Sequence, residues 1–440
     1  MGRAVTQSGA PDANLGQLRA IEADIGAGRL REAAAAIDGL ARIAPSDARV
    51  YLAGAALARV SGNLPGEIES LRRADALAPQ RPRVRLELAK ALARAGNHAE
   101  ALQAANAVVD MAPADLVALE VAVAIADAAG DLATMQRHLQ SASAIRPNDV
   151  SIQRALGKCL ADRGLHAEAI AHWRAVLAVS PDDALAWGWL GGCLVELDRK
   201  QEAREALKRG LELLPGEPTL EFHLAIASGE TPLTQPKEIM QELFDKYAPR
   251  FDAELVGALK YRVPRRVADF ISQRSPALDV SILDLGCGTG LLGVYLGPVS
   301  GAFVGVDLAA KMLERAALHR IYTELRQTDL LDELRSTPAS TYDYVTANDV
   351  FVYVGDVSEV IPAAFTAIRP GGSLVFSCET AHESENSLVM RPSKRYAHTI
   401  SSIQAFCRDA GFASCVIEAI DLRYERASPI PGFIAIATKA

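Results

Sequence analysis

Aromatic residues make up only 5% of the chain, cysteines number six, and no run of lysines or arginines interrupts its 440 residues. Each scarcity excludes something. With a net charge of −8 and no basic stripe, the electrostatic footprint of a nucleic-acid binder is missing, so nucleic acid is not expected as a partner. Every apolar stretch is broken by charge or glycine before it reaches membrane-spanning length, and the opening "MGRAVTQSGAPDANLGQLRA" has no apolar h-region. A cytoplasmic protein without a membrane span is expected. Cys159 and Cys193 recur at equivalent places, Cys287 sits in a glycine-rich stretch, and Cys378, Cys407 and Cys415 are scattered. Without CxxC or a Cys/His cluster, reduced thiols and no metal site are expected. What the chain does have is apolar content: half its residues are hydrophobic, enough for two or more domains with cores of their own.

Proline supplies the first order. Pro45, Pro79, Pro113, Pro147, Pro181 and Pro215 recur every 34 residues. A fixed period of that length is the signature of a repeat architecture. Gly28, Gly62, Gly96, Gly130 and Gly164, with Asp198 in the last copy, stand between two apolar helical segments, so each unit reads as a helical hairpin closed by its proline. In the last copy Trp187, Leu190, Gly191, Leu194, Ala203, Leu207 and Pro215 keep a signature spacing, and in the fifth Leu156, Gly157, Ala169, Trp173 and Pro181 do. The array resembles the tetratricopeptide repeat family, with about six repeats and a capping helix over residues 14–228. The resemblance implies a groove that takes a protein or peptide partner, or a surface for homo-oligomer assembly. Lys90, Arg94, Arg154 and Lys158 fall on the expected groove wall, but Glu120, Asp127, Asp162 and Glu196 interrupt any basic surface there. His98, His138, His166 and His172 read as turn or helix-surface residues.

The period is lost in "SGETPLTQP", so residues 229–236 read as a linker and 237–440 as a second domain. There, "SILDLG", "AFVGVDL", "LRQTD", "YDYVTANDVF" and "GSLVFSCE" alternate with helical segments, which argues for a doubly wound parallel sheet. "SCVIEAIDL" and "GFIAIATK" lack a helix between them and read as an antiparallel hairpin at the sheet's end. Ligands of such sheets bind beyond the carboxyl ends of the strands.

"ILDLGCGTGLLG" lies at that edge. A dinucleotide fingerprint needs glycine at the sixth position from Gly286, where this chain has Leu291; its third glycine is Gly290, and Asp284 precedes the loop. The pattern resembles the first motif of class I S-adenosylmethionine-dependent methyltransferases. The flanks "LFDKYAPRFDAELVGALKYRVP" and "RYAHTISSIQAFCRDAGF" resemble a bacterial group of such enzymes that carry tetratricopeptide repeats. The resemblance implies an α-helical repeat solenoid followed by a Rossmann-like domain whose cofactor is S-adenosylmethionine, leaving as S-adenosylhomocysteine. It implies donor contacts from Asp284, Gly286, Cys287, Gly288 and Gly290, ribose contacts at Asp307 and Leu308, adenine contacts at Asp329 and Leu330, and Asn348 beneath the donor. Tyr247, Phe251 and Tyr261 are candidates for a lid.

Methyl transfer from a sulfonium is an in-line displacement needing position, dryness and, for a weakly acidic nucleophile, a base. His398 in "RYAHT" and Asp349 are candidate bases, with Tyr396 and Arg395 orienting the acceptor. Asn348-Asp349-Val350-Phe351 departs from the Asn/Asp-Pro-Pro-Tyr/Phe motif that grips adenine or glutamine amides. That departure lowers the expectation of an adenine or glutamine-amide acceptor; a small biosynthetic metabolite or a carrier- or protein-bound group is expected. A non-catalytic scaffold with a retained nucleoside-binding fold is the alternative, and a nicotinamide oxidoreductase is third.

Overall fold

The computed structural model describes residues 14–248, 251–252, 261–425 and 428–440. Its chain divides into two compact units after Leu197.

The period observed in the sequence becomes helix pairs: α1 (Leu15–Gly26) with α2 (Leu30–Ile43), α3 (Ala48–Val60) with α4 (Leu64–Leu77), α5 (Pro82–Arg94) with α6 (His98–Met111), α7 (Leu116–Ala128) with α8 (Leu132–Ile145), and α9 (Val150–Asp162) with α10 (His166–Val179). The sixth repeat supplies α11 (Ala184–Glu196) at the end of the first unit and α12 (Lys200–Leu213) at the start of the second. Each second helix stops two residues short of its proline, whose ring and missing N–H cannot continue the ladder. Two residues after the proline, Asp47, Asp115, Asp149 and Asp183 accept amide hydrogens of the next helix's first turn. The turns between paired helices need a left-handed residue, as at Gly164 with φ 74°. Gly164→Ala is expected to destabilise the first unit by about 1 kcal/mol, the cost of an L-residue in that conformation, measurable as a lower urea midpoint at unchanged m-value.

Helix contacts in this unit run over small residues, with Ala101, Ala105, Ala118 and Ala122 fully buried. Trp173 fills the space left by Gly157, where a Cβ would stand 2.9 Å from the indole, and stacks on Trp189 at 5.5 Å. His138 is not on the surface: it is buried on α8, and its Nε2 pairs with Asn106 Oδ1 at 2.7 Å.

In the second unit α12 packs on α13 (Pro218–Ser228), Arg204 Nη1 donating to the Ala227 carbonyl at 2.9 Å. The stretch expected as a linker is bonded to later parts of the same unit: Asp356 N donates to Leu233 O at 2.7 Å, and Gln235 Nε2 donates to Lys394 O at 2.6 Å. Helices α14 (Lys237–Tyr247) and α15 (Val263–Arg274) lead into the sheet. Its parallel strands are β1 (Ile282–Leu285), β2 (Phe303–Asp307), β3 (Glu324–Gln327), β4 (Tyr342–Ala347) and β5 (Ile368–Thr380), separated by α16 (Leu291–Leu296), α17 (Ala310–His319), α18 (Leu330–Ser336), α19 (Phe351–Val354) and α20 (Val360–Ala367). After β5 come β6 (Leu388–Met390), β7 (Tyr396–His398), α21 (Ile400–Asp409), β8 (Ser414–Glu425) and β9 (Ser428–Thr438).

The sheet order is β3-β2-β1-β4-β5, with β9 antiparallel on the far edge of β5 and β8 beyond it, as the strand pattern predicts. One part was not legible. β7 pairs with Glu379 and Thr380, on the edge of β5 that the shorter β4 leaves open, so the β6–β7 ribbon stands over the carboxyl end of β4. Both faces of the sheet are covered. On one, Leu374, Phe376 and Cys378 meet α20 and α21; on the other, Val375 and Ile434 meet Val267 and Ile271 of α15. The first of these cores gathers Cys378, Cys407 and Cys415, which the sequence scatters.

Candidate active site

The strand β1 ends in a buried carboxylate. Asp284 is 1% exposed, and its oxygens accept from Thr346 Oγ1 at 2.7 Å, Tyr322 Oη at 2.8 Å and Asn348 Nδ2 at 3.5 Å. Burial pushes its pKa up to about 6 against those hydrogen bonds, with Asp307 adding repulsion. Among the described residues no cationic side chain forms an ion pair with it. Asn348 beside it leaves its buried Oδ1 without a partner. A buried anion with only neutral partners, next to an orphaned acceptor, is a place built for a ligand's cation and donors.

The loop after β1 is held against the segment after β4 and the end of β2. Gly286 has φ 62°, and a Cβ there would stand 2.5 Å from Val350 Cγ2, so only glycine lets the turn close against the segment after β4. Gly288 N donates to Asp307 Oδ2 and Ala309 N to Asp307 Oδ1, both at 2.9 Å, which ties the loop to the end of β2. Burial raises the pKa of Asp307 as well. Gly290 starts α16, and Cys287 is buried with its thiol pushed up by desolvation. Leu308 accepts from Gln327 Nε2 through its carbonyl at 3.1 Å. Tyr322, which no sequence signal singles out, braces this loop from below: its ring would contact a Cβ on Gly290 or Gly293, and it lies 4.5 Å from Phe303.

Asp329 caps α18 by accepting from Leu331 N at 2.9 Å and pairs with Lys237 at 3.3 Å. Leu330 packs toward the core under α18 and α20. Thus the side chain of Asp329 is committed to the helix, and Lys237 is an addition the sequence did not suggest.

Aromatic residues close the other side. Phe251 lies 3.9 Å from a Cβ built on Gly288, and it meets Tyr247 at 5.5 Å and Phe244 at 6.5 Å. Phe244 meets Tyr353 edge-on at 5.2 Å, and Arg395 Nε donates to the Tyr353 hydroxyl at 3.2 Å. Asp245 and Asp252 fasten this cover, the first accepting from Lys311 N at 3.0 Å and the second from Thr289 Oγ1. Phe251, with Tyr247 against it, therefore lies beside the loop, whereas Arg395 is linked to it only through Tyr353 and Phe244. Tyr261 does not belong to the cover: it is 6% exposed, packed with Val263 and Val267 in the core under α15, and its phenol is pushed up by burial.

The two candidate bases, His398 and Asp349, and their neighbour Tyr396 lie beside the carboxyl ends of β4 and β5. His398 is 2% exposed on β7, its Nε2 bonds the Gly355 carbonyl at 2.7 Å, its Nδ1 is buried without a hydrogen-bond partner among the described residues, and burial pushes its pKa down. Tyr396 on the same strand is fully buried against Gly355, with its phenol pushed up by desolvation. The pairing of β7 with β5 draws both inward. Asp349, at φ 57°, accepts from Ser377 Oγ at 3.1 Å and pairs with Arg423 at 3.1 Å, so both of its oxygens are engaged.

In the first unit a groove cavity of about 630 Å³ is lined by Ala93, Val121, Ala124 and Ile125 with a charged rim. Arg59 and Arg94 are spent on the buried Glu67 at 2.7 and 2.6 Å, and Lys90 on Glu87 at 2.9 Å. The wall's cations thus pair within the array.

Residues 283–374 match the family described as a methyltransferase domain, and residues 69–115 and 154–218 match the tetratricopeptide repeat. A ubiquinone biosynthesis O-methyltransferase of Hydrogenovibrio crunogenus is 36% identical over 28% of this chain and 51% of its own. Its counterpart from Albidiferax ferrireducens is 27% identical over 36% of this chain and 66% of its own. The chain therefore spans roughly half to two thirds of these curated relatives. A solved S-adenosylmethionine-dependent methyltransferase of Methanosarcina mazei is 19% identical, covering 38% of this chain and 96% of that one, at a TM-score of 0.32. No helix among the described residues is long and apolar enough to cross a membrane.

Proposed function

We propose that this chain, which joins tetratricopeptide repeats to a methyltransferase domain, transfers a methyl group from S-adenosylmethionine to a hydroxyl-bearing acceptor, with the repeats serving recognition or assembly. The observation that carries the reading is Asp284: a buried carboxylate without a cationic partner suits a ligand with an ammonium group and disfavours a pyrophosphate. When bound, S-adenosylmethionine supplies an electrophilic methyl on a sulfonium.

The chain's own residues do the rest. Asp284 and the orphaned Asn348 oxygen hold the amino-acid end, the three loop glycines let the backbone lie flat against the ligand, and Asp307 stands at the ribose position. Phe251, Phe244 and Tyr353 exclude water on the open side. Hydroxyl as the accepting group rests on the O-methyltransferase relatives and on the missing Asn/Asp-Pro-Pro-Tyr/Phe motif. The groove's apolar floor and internally paired rim favour a partner segment held by apolar side chains rather than by its acidity.

The test is calorimetric binding of S-adenosylmethionine to the full chain, followed by incubation with methyl-labelled donor and cell extract separated by size. Binding with label in small molecules supports a metabolite acceptor. Label in macromolecules supports recognition through the repeats, and binding without any transfer favours a scaffold. Asp307→Ala is expected to weaken donor binding about tenfold, by loss of ribose hydrogen bonds and of its grip on the Gly288 amide; unchanged affinity places the ribose elsewhere.

A further inference from the structure

Three glycines around the donor loop open onto one side chain. A Cβ on Gly290 would stand 3.0 Å from the Tyr322 ring, one on Gly293 3.1 Å and one on Gly305 2.9 Å. Gly290 needs glycine for its left-handed backbone, φ 86°, in any case. The other two lie inside regular elements, Gly293 in α16 and Gly305 in β2, where a residue without a side chain weakens the element. Gly305 also faces Leu325 and Cys287, but room for the Tyr322 ring is common to all three. The ring is fixed through its neighbours. Thr323 donates its N–H to the Phe303 carbonyl at 2.8 Å and accepts the Phe303 N–H on Oγ1 at 2.9 Å, and the Phe303 ring lies 4.5 Å from that of Tyr322.

The ring carries its hydroxyl to the end of β1, where it donates to Asp284 Oδ2 at 2.8 Å. A carboxylate accepts about four hydrogen bonds, two on each oxygen. Thr346 Oγ1 at 2.7 Å and Asn348 Nδ2 at 3.5 Å both fall on Oδ1. Among the described residues Tyr322 is therefore the sole donor to Oδ2, and the acceptor position left over for a ligand is on that same oxygen. The titratable groups facing the carboxylate are Asp307 from the end of β2, Cys287 from the loop and Tyr261 ahead of α15, none of them a cation. Burial and the neighbouring Asp284 push the Tyr322 phenol well up, so it keeps its proton and stays a donor.

Resting on the reading of Asp284 as the counter-ion of the donor's ammonium, we propose that Tyr322 is a positioning residue for S-adenosylmethionine, its hydroxyl fixing Asp284 Oδ2 as the acceptor of that ammonium. It touches no reacting atom and acts through Asp284. A hydrogen bond from a neutral hydroxyl favours the ionised carboxyl, which is the form an ammonium needs, so Tyr322 extends donor binding to lower pH. The three glycines then serve the same end as the loop itself, since they let an aromatic ring reach beneath it.

The test is titration calorimetry of the full chain with S-adenosylmethionine between pH 5 and 8. Tyr322→Phe keeps the ring that the glycines accommodate and removes only the hydroxyl. The midpoint of the pH dependence, about 6 in the wild-type chain, is expected to rise by about one pH unit, the effect of one hydrogen bond to an ionised group. Affinity is then about fivefold lower at pH 6 and within about twofold of wild type at pH 8. In an Asp284→Asn background the same substitution should leave no pH-dependent difference. Tyr322→3-fluorotyrosine, whose more acidic phenol is the stronger donor, is expected to lower the midpoint, and it decides the matter if the phenylalanine variant does not fold. A tyrosine that only packs would weaken binding by the same factor at every pH; that result, or a midpoint that stays put, overturns the proposal. Binding without pH dependence in the wild-type chain overturns the role of Asp284 and the proposal with it. Failure of the wild-type chain to bind S-adenosylmethionine at any pH overturns the methyltransferase reading instead.

Discussion

Asp284→Asn is expected to weaken S-adenosylmethionine binding about 100-fold while raising the thermal stability of the free protein at pH 8. The first effect is the loss of a charge-assisted contact to the ligand's ammonium in a dry site, roughly 3 kcal/mol. The second comes from linkage. A folded pKa pushed up from 3.8 to about 6 means that the folded state prefers the protonated carboxyl. The stability attached to that proton is present below about pH 4 and lost as pH rises through about 6, roughly 3 kcal/mol in all at about 1.4 kcal/mol per tenfold. An uncharged amide removes the penalty. Its oxygen can still accept from Tyr322, and its NH₂ can donate to Thr346, whose own hydroxyl has the Leu283 carbonyl 3.4 Å away.

The same linkage fixes the pH dependence of the wild-type protein. The ligand's ammonium requires the ionised carboxylate, so donor affinity should fall by up to tenfold per pH unit below about 6 and level off above it. In Asp284→Asn that dependence should vanish, apart from what Asp307 contributes. Calorimetry at several pH values and a thermal melt without ligand check both halves. A variant that binds normally, or that melts lower at pH 8, would show that Asp284 is structural rather than a ligand's counter-ion.

How much of this was legible depends on how local the signal is. The repeat array is written in a proline every 34 residues and in turn positions that need a left-handed residue, and the donor loop in Asp284 and three glycines within seven residues. These are short-range constraints that one stretch of chain carries by itself. Tyr322, Ser377, Glu379 and Arg423 are different: each belongs to a strand or its approach and gains a role only when strand order brings it to a neighbour's end. The bulge in β8 breaks the alternation that would have pointed Arg423 to solvent. His398 stands out in the sequence by its place beside a motif, but β6 and β7 are three residues each, too short for a periodic pattern to reveal the pairing that buries it.

Arg423→Met is expected to destabilise the second unit by about 3–5 kcal/mol, the range for removing one partner of a buried ion pair. For a unit of this size that lowers its melting transition by roughly 10 °C. Most of the loss comes from the groups left behind: Asp349, half-buried in a left-handed conformation next to Asn348, and Glu379, 7% exposed, each losing the guanidinium it bonds. Protonation relieves it. The defect should therefore be largest at pH 8 and shrink as pH falls, because removing the cation pushes the already raised pKa of Glu379 higher still. Adding Glu379→Gln and Asp349→Asn to Arg423→Met should recover most of the stability, since a neutral hydrogen-bonded cluster no longer buries unpaired charge. A loss under 1 kcal/mol in the single variant, or no recovery in the triple one, would mean that water reaches the carboxylates and that the cluster is not the dry ionic site its geometry describes.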